Sequence, residues 1–265
     1  KAAESFVIIS PEEGKLLAAG HFDIKWSKAT ASEVKGYKVY LDGEMEGTTT
    51  STSYDCYTTK VEKHTAYVVA EYTNGTESTT PTIEFYVTKK GLAVNDDMGK
   101  NIDPLYMNMG WYYTWGENPF SYTTYRYAEF VPMKWGAGNE NNVLNAIAQK
   151  NYMYLLAYNE PDYPMWDQWG NFLGGSDVKV ETAIKNWSKF IGKSRYLGAP
   201  SPALSPSWDS GTWFRAFMDG VDHDTIDFIP LHCYYGTYGG AAGANSFLKD
   251  VVDKTYEMYH KPIWI

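Results

Sequence analysis

The residues best suited to acid–base chemistry follow directly on an apolar segment of the chain. This segment, 154–158, is followed by Asn159, Glu160 and a second carboxylate, Asp162. A carboxyl group placed there can protonate a leaving oxygen, while a neighbouring amide holds a sugar hydroxyl. The pattern indicates glycoside hydrolysis, with Glu160 as the predicted general acid/base and Asn159 as a predicted substrate-binding residue. A glutamate at a strand end can instead cap the next helix, and we interpret Asp162 as a loop or helix-cap residue.

Aromatic and polar residues lie at the ends of the other apolar segments in this half of the chain. The aromatic content of 17% exceeds what a core of this size needs. Aromatic faces stack on the C–H faces of sugar rings, and a few converging polar groups orient the ligand. A histidine such as His232 can also orient a carboxylate or be satisfied within a core. The residues predicted to bind substrate are Trp111, Tyr113, Trp115, Trp135, His232, Tyr234 and Trp264, and Trp166, Trp169 and Trp208 are further candidates for sugar stacking.

Strand-like and helix-like segments alternate from residue 89 onward. Candidate strands lie at 92–94, 108–113, 129–133, 154–158, 196–199, 226–229 and 262–265, and apolar helical stripes lie at 143–148, 183–191 and 247–259. This alternation predicts an α/β fold, a (β/α)8 TIM barrel over 89–265, in which residues after each strand face one common bowl. An open doubly wound sheet is the rival, but no glycine-rich phosphate loop follows the first strand.

The first part of the chain shows a period of two instead. Alternating segments at 22–26, 37–41, 67–72 and 83–87 are separated by turn sequences, including Asp42-Gly43 and Asn74-Gly75. This pattern predicts an N-terminal all-β immunoglobulin-like sandwich over residues 1–88. His21 and His64 stand alone at strand edges in this segment, and we interpret both as structural or incidental.

Composition argues against several classes of partner. The formal net charge of −9 argues against a nucleic-acid ligand, because nucleic-acid binders carry a basic face. No stretch reaches the roughly 18 apolar residues of a membrane-spanning helix. The first residues lack the apolar region of a signal peptide, so we expect any export signal to have been removed. We predict a secreted or cell-surface monomer with no membrane span.

The remaining polar clusters predict neither a metal nor a cofactor. The two cysteines, Cys56 and Cys233, fall in different predicted domains, so we expect no disulfide. The triplet at 222–224 follows an apolar helical segment and is interpreted as a turn or cap. The acidic run at 95–97 lacks the spacing of a calcium loop and is interpreted as a loop.

Seven sequence blocks follow one another in the second half of the chain. They are KKGLA at 89–93, GWYYTWG at 110–116, FVPMKWG at 130–136, LLAYNEPD at 155–162, LGAP at 197–200, DFIPLHCYYG at 227–236 and KPIWI at 261–265. In this order the blocks resemble the motifs of glycoside hydrolase family 128, the single-barrel β-1,3-glucanases. The N-terminal segment, with Trp26, a strand beginning near Tyr37 and a strand headed by Tyr67, more loosely resembles a fibronectin type III domain.

The resemblance to family 128 implies a retaining endo-acting hydrolase of laminarin- or curdlan-like β-1,3-glucan. It places the acid/base on the fourth strand, at Glu160, and the nucleophile on the seventh. In the family, the segment matching 262–265 continues into Thr-Glu-Phe, whose glutamate is the nucleophile. We therefore expect the nucleophilic glutamate just past Ile265 and the domain at 89–265 to be C-terminally incomplete. The fibronectin-like resemblance implies an accessory role for residues 1–88.

Two other functions are compatible with parts of the pattern. A catalytically silent β-glucan-binding protein would keep the aromatic residues of the same barrel but lack the nucleophile. A structural or adhesive module would rest on the predicted sandwich alone and leave the polar residues at the strand ends without a role. Saccharide binding and turnover separate these functions from hydrolysis.

Overall fold

The computed structural model describes residues 6–95, 99–122, 125, 128–203, 212–235 and 239–265. The chain forms two compact units. The first unit comprises Lys1–Tyr112 and Phe120–Glu129, and the second unit comprises Tyr113–Pro119 and Phe130–Ile265. Most of the acidic run at 95–97, interpreted as a loop, and the stacking candidate Trp208 lie outside the described residues.

Two sheets make up most of the first unit. One has the strand order β1-β3-β6, and the other has the order β2-β9-β7-β4-β5 with β8 beside β7. All of these neighbours pair antiparallel except β2 and β9. The strands are β1 (Ile8–Ser10), β2 (Leu16–Ala18), β3 (Gly20–Trp26), β4 (Val34–Leu41), β5 (Glu44–Thr49), β6 (Ser53–Thr58), β7 (Lys63–Tyr72), β8 (Glu77–Thr79) and β9 (Ile83–Thr88).

The alternation in the sequence explains the core between these sheets. Every second residue of β3, β4 and β7 is buried, and Ile24, Val39 and Val68 belong to one apolar cluster. The turn joining β4 to β5 has positive φ at Asp42 (51°) and Gly43 (84°), as a type I′ hairpin requires. The period of two and this predicted turn are therefore confirmed, whereas immunoglobulin-like topology stays a prediction.

The two histidines of the first unit are paired rather than alone. His64 is fully buried, and its Nδ1 lies 2.7 Å from Asp42 Oδ2 while its Nε2 lies 3.0 Å from the Lys60 carbonyl oxygen. His21 Nδ1 lies 2.9 Å from Asp55 Oδ2 at the surface. The sequence could not reveal these partners, because they lie on neighbouring strands. Both contacts fit a structural role.

A separate three-stranded sheet has the order β10-β11-β12. These strands are β10 (Gly91–Ala93), β11 (Trp111–Tyr113) and β12 (Glu129–Phe130). In the first unit, Gly91 is required by close packing, because a Cβ atom there would overlap the Trp111 indole.

Parallel strands follow one another in chain order in the second unit. They are β13 (Tyr154–Leu155), β14 (Tyr196–Leu197), β15 (Ile229–Pro230) and β16 (Ile263–Trp264). Pairs β13–β14 and β15–β16 are parallel, and single parallel bridges join Met133 to Leu156 and Gly198 to Phe228. This sequential parallel arrangement is the part of the predicted α/β barrel that is observed. Closure into a complete (β/α)8 barrel stays a prediction.

Helices lie between these strands. They are α1 (Glu140–Lys150), α2 (Val180–Trp187), α3 (Thr212–Asp219) and α4 (Gly240–Tyr259). Val143 and Ile147 of α1 and Ala183 and Trp187 of α2 are buried at a spacing of four, so each helix turns one apolar stripe toward the core. Helix α2 is shorter than its stripe predicted, and the buried Phe190 lies in the turn after it.

Polar contacts join the start of α1 to the end of α2. Glu140, at the start of α1, accepts hydrogen bonds from the Gly138 amide (2.8 Å), from Lys189 Nζ (3.2 Å) and from Asn186 Nδ2 (3.3 Å). A buried carboxylate needs such donors to offset its desolvation. The contact therefore ties the start of α1 to the end of α2.

No helix among the described residues is long and apolar enough to span a membrane. The described residues also contain no group of three or more His, Cys, Asp or Glu side chains arranged to hold a metal ion. Cys56 and Cys233 are both free thiols. The acidic triplet forms a turn in which the Asp222 side chain accepts a hydrogen bond from the Asp224 amide, as interpreted from sequence.

Candidate active site

Asn159 and Glu160 lie where the ends of neighbouring strands meet. The Asn159 amide donates to the Trp135 carbonyl at 2.9 Å, and the Glu160 amide donates to the Ser201 carbonyl at 2.7 Å. Asn159 and Ser201 also form a parallel bridge beyond β13 and β14. The backbone on both sides of the predicted acid/base is therefore tied to the carboxyl ends of adjacent strands, where parallel α/β folds hold their active sites.

Glu160 has a left-handed backbone conformation, with φ of 43°. A residue with a Cβ atom pays about 1–2 kcal/mol for that region. Its carbonyl accepts hydrogen bonds from the amides of Tyr163 and Ser176, both at 3.1 Å, so the following loop maintains this conformation. Strained backbone that the surroundings enforce is concentrated at functional sites. The turn redirects the chain just where the predicted acid/base stands.

The Glu160 side chain is paired with His232. Glu160 Oε1 lies 2.7 Å from His232 Nδ1, and the two side chains are only 12% and 16% exposed, respectively. One proton lies in this bond, donated either by the imidazole to the carboxylate or by the carboxylic acid to the imidazole. His232 follows β15, and the amide of the preceding Leu231 donates to the Trp264 carbonyl at 2.8 Å. The structure therefore brings together two residues that the sequence selected separately.

Asn159 is buried with half of its amide group engaged. Its Nδ2 donates to the Gly174 carbonyl at 3.2 Å. Among the described residues, its Oδ1 has no hydrogen-bond partner. Because an unpaired buried acceptor costs about 1–3 kcal/mol, a ligand hydroxyl that reached it would gain a strong partner.

Three of the aromatic residues predicted to bind substrate lie close to the Glu160–His232 pair or to one another. The rings of Tyr113 and Trp115 are 5.1 Å apart, and the exposed Tyr234 ring meets His232 edge-on with centroids 6.3 Å apart. Burial, then the neighbouring Tyr234 and the Glu160 charge, raise the pKa of Tyr113 to about 12. Tyr113 therefore keeps its phenolic proton at neutral pH and can donate a hydrogen bond.

A cavity of about 300 Å³ lies within the second unit, and Trp115 and Trp135 form part of its wall. Ser176 also lines it, and its buried Oγ has no partner among the described residues. Burial lowers the pKa of Lys134, which lines the cavity with Glu117. The volume is at the lower end of the range of ligand sites, and an aromatic wall with an unpaired hydroxyl group suits a sugar ring.

The remaining predicted site residues are placed differently. Trp264 stacks on Phe228 with centroids 4.4 Å apart and lies 5.0 Å from the Tyr154 ring, so its observed contacts are among aromatic rings of the strands. Trp111 belongs to the first unit, where it covers Gly91. Substrate contact by these two tryptophans stays a prediction. Asp162 accepts a hydrogen bond from the Ala203 amide at 2.7 Å, which agrees with its interpretation as a loop residue.

Sequence reasoning missed Ser176, Lys134 and Glu117 as residues of the cavity. Ser176 lies in a glycine-rich loop that carries no catalytic motif, and serines in such loops are common. Lys134 directly precedes the predicted Trp135, so position in the block was the only available signal. These residues meet around the cavity because of the paths of the loops that carry them, and a single sequence does not specify those paths.

Comparison with known proteins places this geometry in a family. The family described as the glycosyl hydrolase catalytic core matches residues 91–265. The structure of a family 128 (subgroup I) endo-β-1,3-glucanase from Amycolatopsis mediterranei, in complex with laminaritriose, is 32% identical with a TM-score of 0.52, over 66% of this chain and 67% of that one. A variant of that enzyme, with laminaritriose and laminaribiose, is 32% identical with a TM-score of 0.54, over 66% and 68%.

A more distant structure shares the fold. It is a family 128 (subgroup III) curdlan-specific exo-β-1,3-glucanase from Blastomyces gilchristii, 23% identical with a TM-score of 0.50, over 66% of this chain and 73% of that one. No curated protein sequence matches the chain. The match over residues 91–265 and the identity with the bacterial enzyme show that the chain belongs to the glycosyl hydrolase catalytic core family and to glycoside hydrolase family 128.

Proposed function

We propose that this protein is a retaining endo-β-1,3-glucanase that cleaves laminarin- or curdlan-like glucan with Glu160 as its acid/base. Family membership supports hydrolysis of β-1,3-glucan, and the bacterial relatives bind laminari-oligosaccharides. One observation supports the role of Glu160 above all others. It is the partly buried hydrogen bond of 2.7 Å between Glu160 and His232 at the carboxyl ends of the parallel strands.

In the proposed reaction, Glu160 first gives its proton to the glycosidic oxygen. As a carboxylate it later takes a proton from the attacking water, which is the exchange of roles that retention requires. His232 holds the carboxyl group in place and shares its proton. Asn159 Oδ1 accepts a hydrogen bond from the sugar hydroxyl beside the reacting carbon.

The proposed nucleophile is a glutamate that follows Ile265 in the full-length protein. Strand β16 runs parallel to β15, and the Trp264 carbonyl accepts a hydrogen bond from the Leu231 amide. A residue shortly after Ile265 would therefore emerge beside the segment that carries His232. Retention requires the carboxyl group of this residue to stand about 5–5.5 Å from that of Glu160.

The other proposed roles follow from position and from the sequence. Tyr113, Trp115, Trp135 and Tyr234 would bind sugar rings, and Trp111 and Trp264 are proposed for the same role. Residues 89–265 would form the (β/α)8 catalytic domain and residues 1–88 a fibronectin type III-like accessory domain. We place the protein outside the cell or at its surface, as a monomer.

The decisive experiment measures release of reducing sugar from laminarin by the full-length protein. Glu160→Gln keeps the size of the side chain but cannot donate a carboxylic proton, so we expect activity to fall by about 10²- to 10⁴-fold. The matched control is Glu181→Gln, which changes an exposed glutamate of α2 in the same unit and should leave activity intact. Undiminished turnover by Glu160→Gln would overturn the assignment.

The aromatic cavity is also compatible with the second function, a glucan-binding protein without catalysis. The unpaired Oγ of Ser176 in the cavity wall, and the unpaired Oδ1 of Asn159 outside that lining, would bind sugar hydroxyls whether or not a nucleophile is present. Calorimetric binding of laminarin by the full-length protein, with no product after prolonged incubation, would favour that function over hydrolysis.

A further inference from the structure

A short hairpin after Glu160 exposes three large aromatic side chains. Trp166, Trp169 and Phe172 are 55%, 78% and 59% exposed, and we call these three residues the aromatic ledge. Single exposed apolar residues are common, but a cluster of large aromatic rings held out in one place marks an interaction surface. The ledge lies wholly in the second unit.

The hairpin that carries the ledge is held by hydrogen bonds. Trp166 and Phe172 form an antiparallel bridge. At the turn, Asp167 Oδ1 accepts hydrogen bonds from the amides of Trp169 and Asn171, both at 2.8 Å, and Asp167 Oδ2 accepts one from Asn171 Nδ2 at 2.7 Å. An aspartate that bonds the backbone in this way stabilises a tight turn. The exposed rings are therefore presented by a structured element, which lowers the entropy cost of binding to them.

The ledge is continuous with the cavity, whose lining residue Ser176 donates its amide to the Glu160 carbonyl at 3.1 Å. Trp135, in the cavity wall, stacks on Phe172 with centroids 6.3 Å apart and planes 30° apart. Phe172 in turn meets the Trp166 ring edge-on at 5.2 Å. Met165, at the base of the hairpin, also lines the cavity. Aromatic surface thus extends from the cavity wall out to the ledge.

The chemistry of the ledge suits an uncharged ligand. Residues 165–173 contain one charged side chain, Asp167, and its carboxylate oxygens are engaged in the turn. Aromatic faces bind the C–H faces of sugar rings without needing charge. A polysaccharide chain that leaves the cavity would meet this surface next.

We propose that the aromatic ledge binds a stretch of neutral β-glucan chain beyond the sugars held at the cleavage site. The inference rests on the proposed function, because it takes the cavity as the place from which the glucan extends. The ledge therefore contributes to binding of long chains and contributes nothing to an oligosaccharide too short to reach it. The measurable consequence is that a variant of the ledge loses affinity for the polymer and keeps its activity on a short oligosaccharide.

The test compares a long and a short substrate with the same variants of the full-length protein. Trp169→Ala should raise KM for laminarin about 3- to 10-fold, the value of one aromatic stacking contact, and weaken sedimentation with curdlan by a similar factor. Its kcat/KM for laminaritriose should be unchanged. Trp169→Phe keeps a ring and should retain most of the laminarin affinity.

The matched control is Tyr256→Ala, which removes a 53% exposed ring near the end of α4. That helix leads into the start of β16, so its last turn lies at the opposite end of the strands from Glu160. Equal losses on both substrates, or no loss on either laminarin or curdlan, would overturn the proposal. If the wild type turns over neither substrate, the proposed function fails, and curdlan sedimentation of the same variants still decides on the ledge.

Discussion

Each unit contains a histidine paired with a carboxylate at the same distance. His64 Nδ1 lies 2.7 Å from Asp42 in the first unit, and His232 Nδ1 lies 2.7 Å from Glu160 in the second. The bond alone therefore does not distinguish a structural pair from a catalytic one. The distinction comes from what the remaining atoms of each pair do.

In the first unit every polar atom of the histidine is used. His64 is fully buried, and its second nitrogen meets the Lys60 carbonyl, while the other oxygen of Asp42 accepts the Thr65 amide at 2.9 Å. This pair fixes the β4–β5 turn and the start of β7. A group whose hydrogen bonds are all made within the fold has none left for a ligand.

In the second unit the pair is only half satisfied. Within the described part of the chain, His232 Nε2 and Glu160 Oε2 have no hydrogen-bond partner, and the side chains are partly exposed. The carboxylate residue of each pair also has a positive φ. At Asp42 this conformation forms a hairpin turn, whereas at Glu160 it is backbone strain at the predicted catalytic residue. Unsatisfied hydrogen-bonding groups and local backbone strain therefore distinguish a functional histidine–carboxylate pair from a structural one better than residue type does.

The largest contrast is expected between the two carboxylates. Glu160→Gln should lower laminarin turnover by about 10²- to 10⁴-fold and leave thermal unfolding nearly unchanged. Asp42→Asn should lower the thermal unfolding temperature and leave laminarin turnover unchanged, because it weakens a structural hydrogen bond only. Turnover assays and thermal unfolding of both variants measure this, and an activity loss in Asp42→Asn would break the comparison.

Removing the buried histidine of the first unit should cost stability. His64→Ala leaves a cavity and two unpaired acceptors, so we expect a loss of about 2–4 kcal/mol in the free energy of unfolding. Denaturant titration measures the loss. His21→Ala is the control, since its exposed ion pair with Asp55 should contribute less than about 1 kcal/mol. Equal losses for the two variants would contradict the assigned burial.

Removing the histidine of the second unit should affect the reaction. His232→Ala should lower kcat about 10- to 100-fold, because the carboxyl group loses the partner that positions it. KM should change less than kcat, because the partner of the carboxyl group and not a sugar contact is removed. His223→Ala, in an exposed turn of the same unit, should leave both unchanged. An unaltered kcat would reduce His232 to a packing role.

The smallest effect is expected at the cavity wall. Ser176→Ala should raise KM for laminari-oligosaccharides about 2- to 10-fold with kcat unchanged, the value of one neutral hydrogen bond. Steady-state kinetics beside Ser188→Ala, an exposed serine of the same unit, gives the comparison. A fall in kcat without a change in KM would place Ser176 in the chemistry instead.

Much of the framework could be predicted because it depends on local pattern. Residues close together in the sequence suffice to show the period of two in β3, β4 and β7 and the apolar stripes of α1 and α4. The position of Glu160 after an apolar strand was readable for the same reason. The family blocks then placed the strands in order.

The details of the site could not be predicted, because they depend on distant residues and on loop paths. His232 is 72 residues from Glu160 along the chain, and no local pattern pairs them. The left-handed backbone at Glu160 has no signal in a glutamate, a residue that rarely adopts it. The hairpin of the aromatic ledge was hidden as well, although Gly170 at its turn is a recognisable turn residue.

The left-handed turn at Glu160 also bears on how a bound oligosaccharide is best trapped for crystallography. Glutamine at this position removes the acid but keeps the strain, whereas glycine adopts positive φ freely and removes both. In Glu160→Gly the relieved strain should therefore offset much of the stability lost with the His232 hydrogen bond, and the variant gains room beside His232. For soaking intact glucan into crystals, glycine is the better choice of inactivating residue.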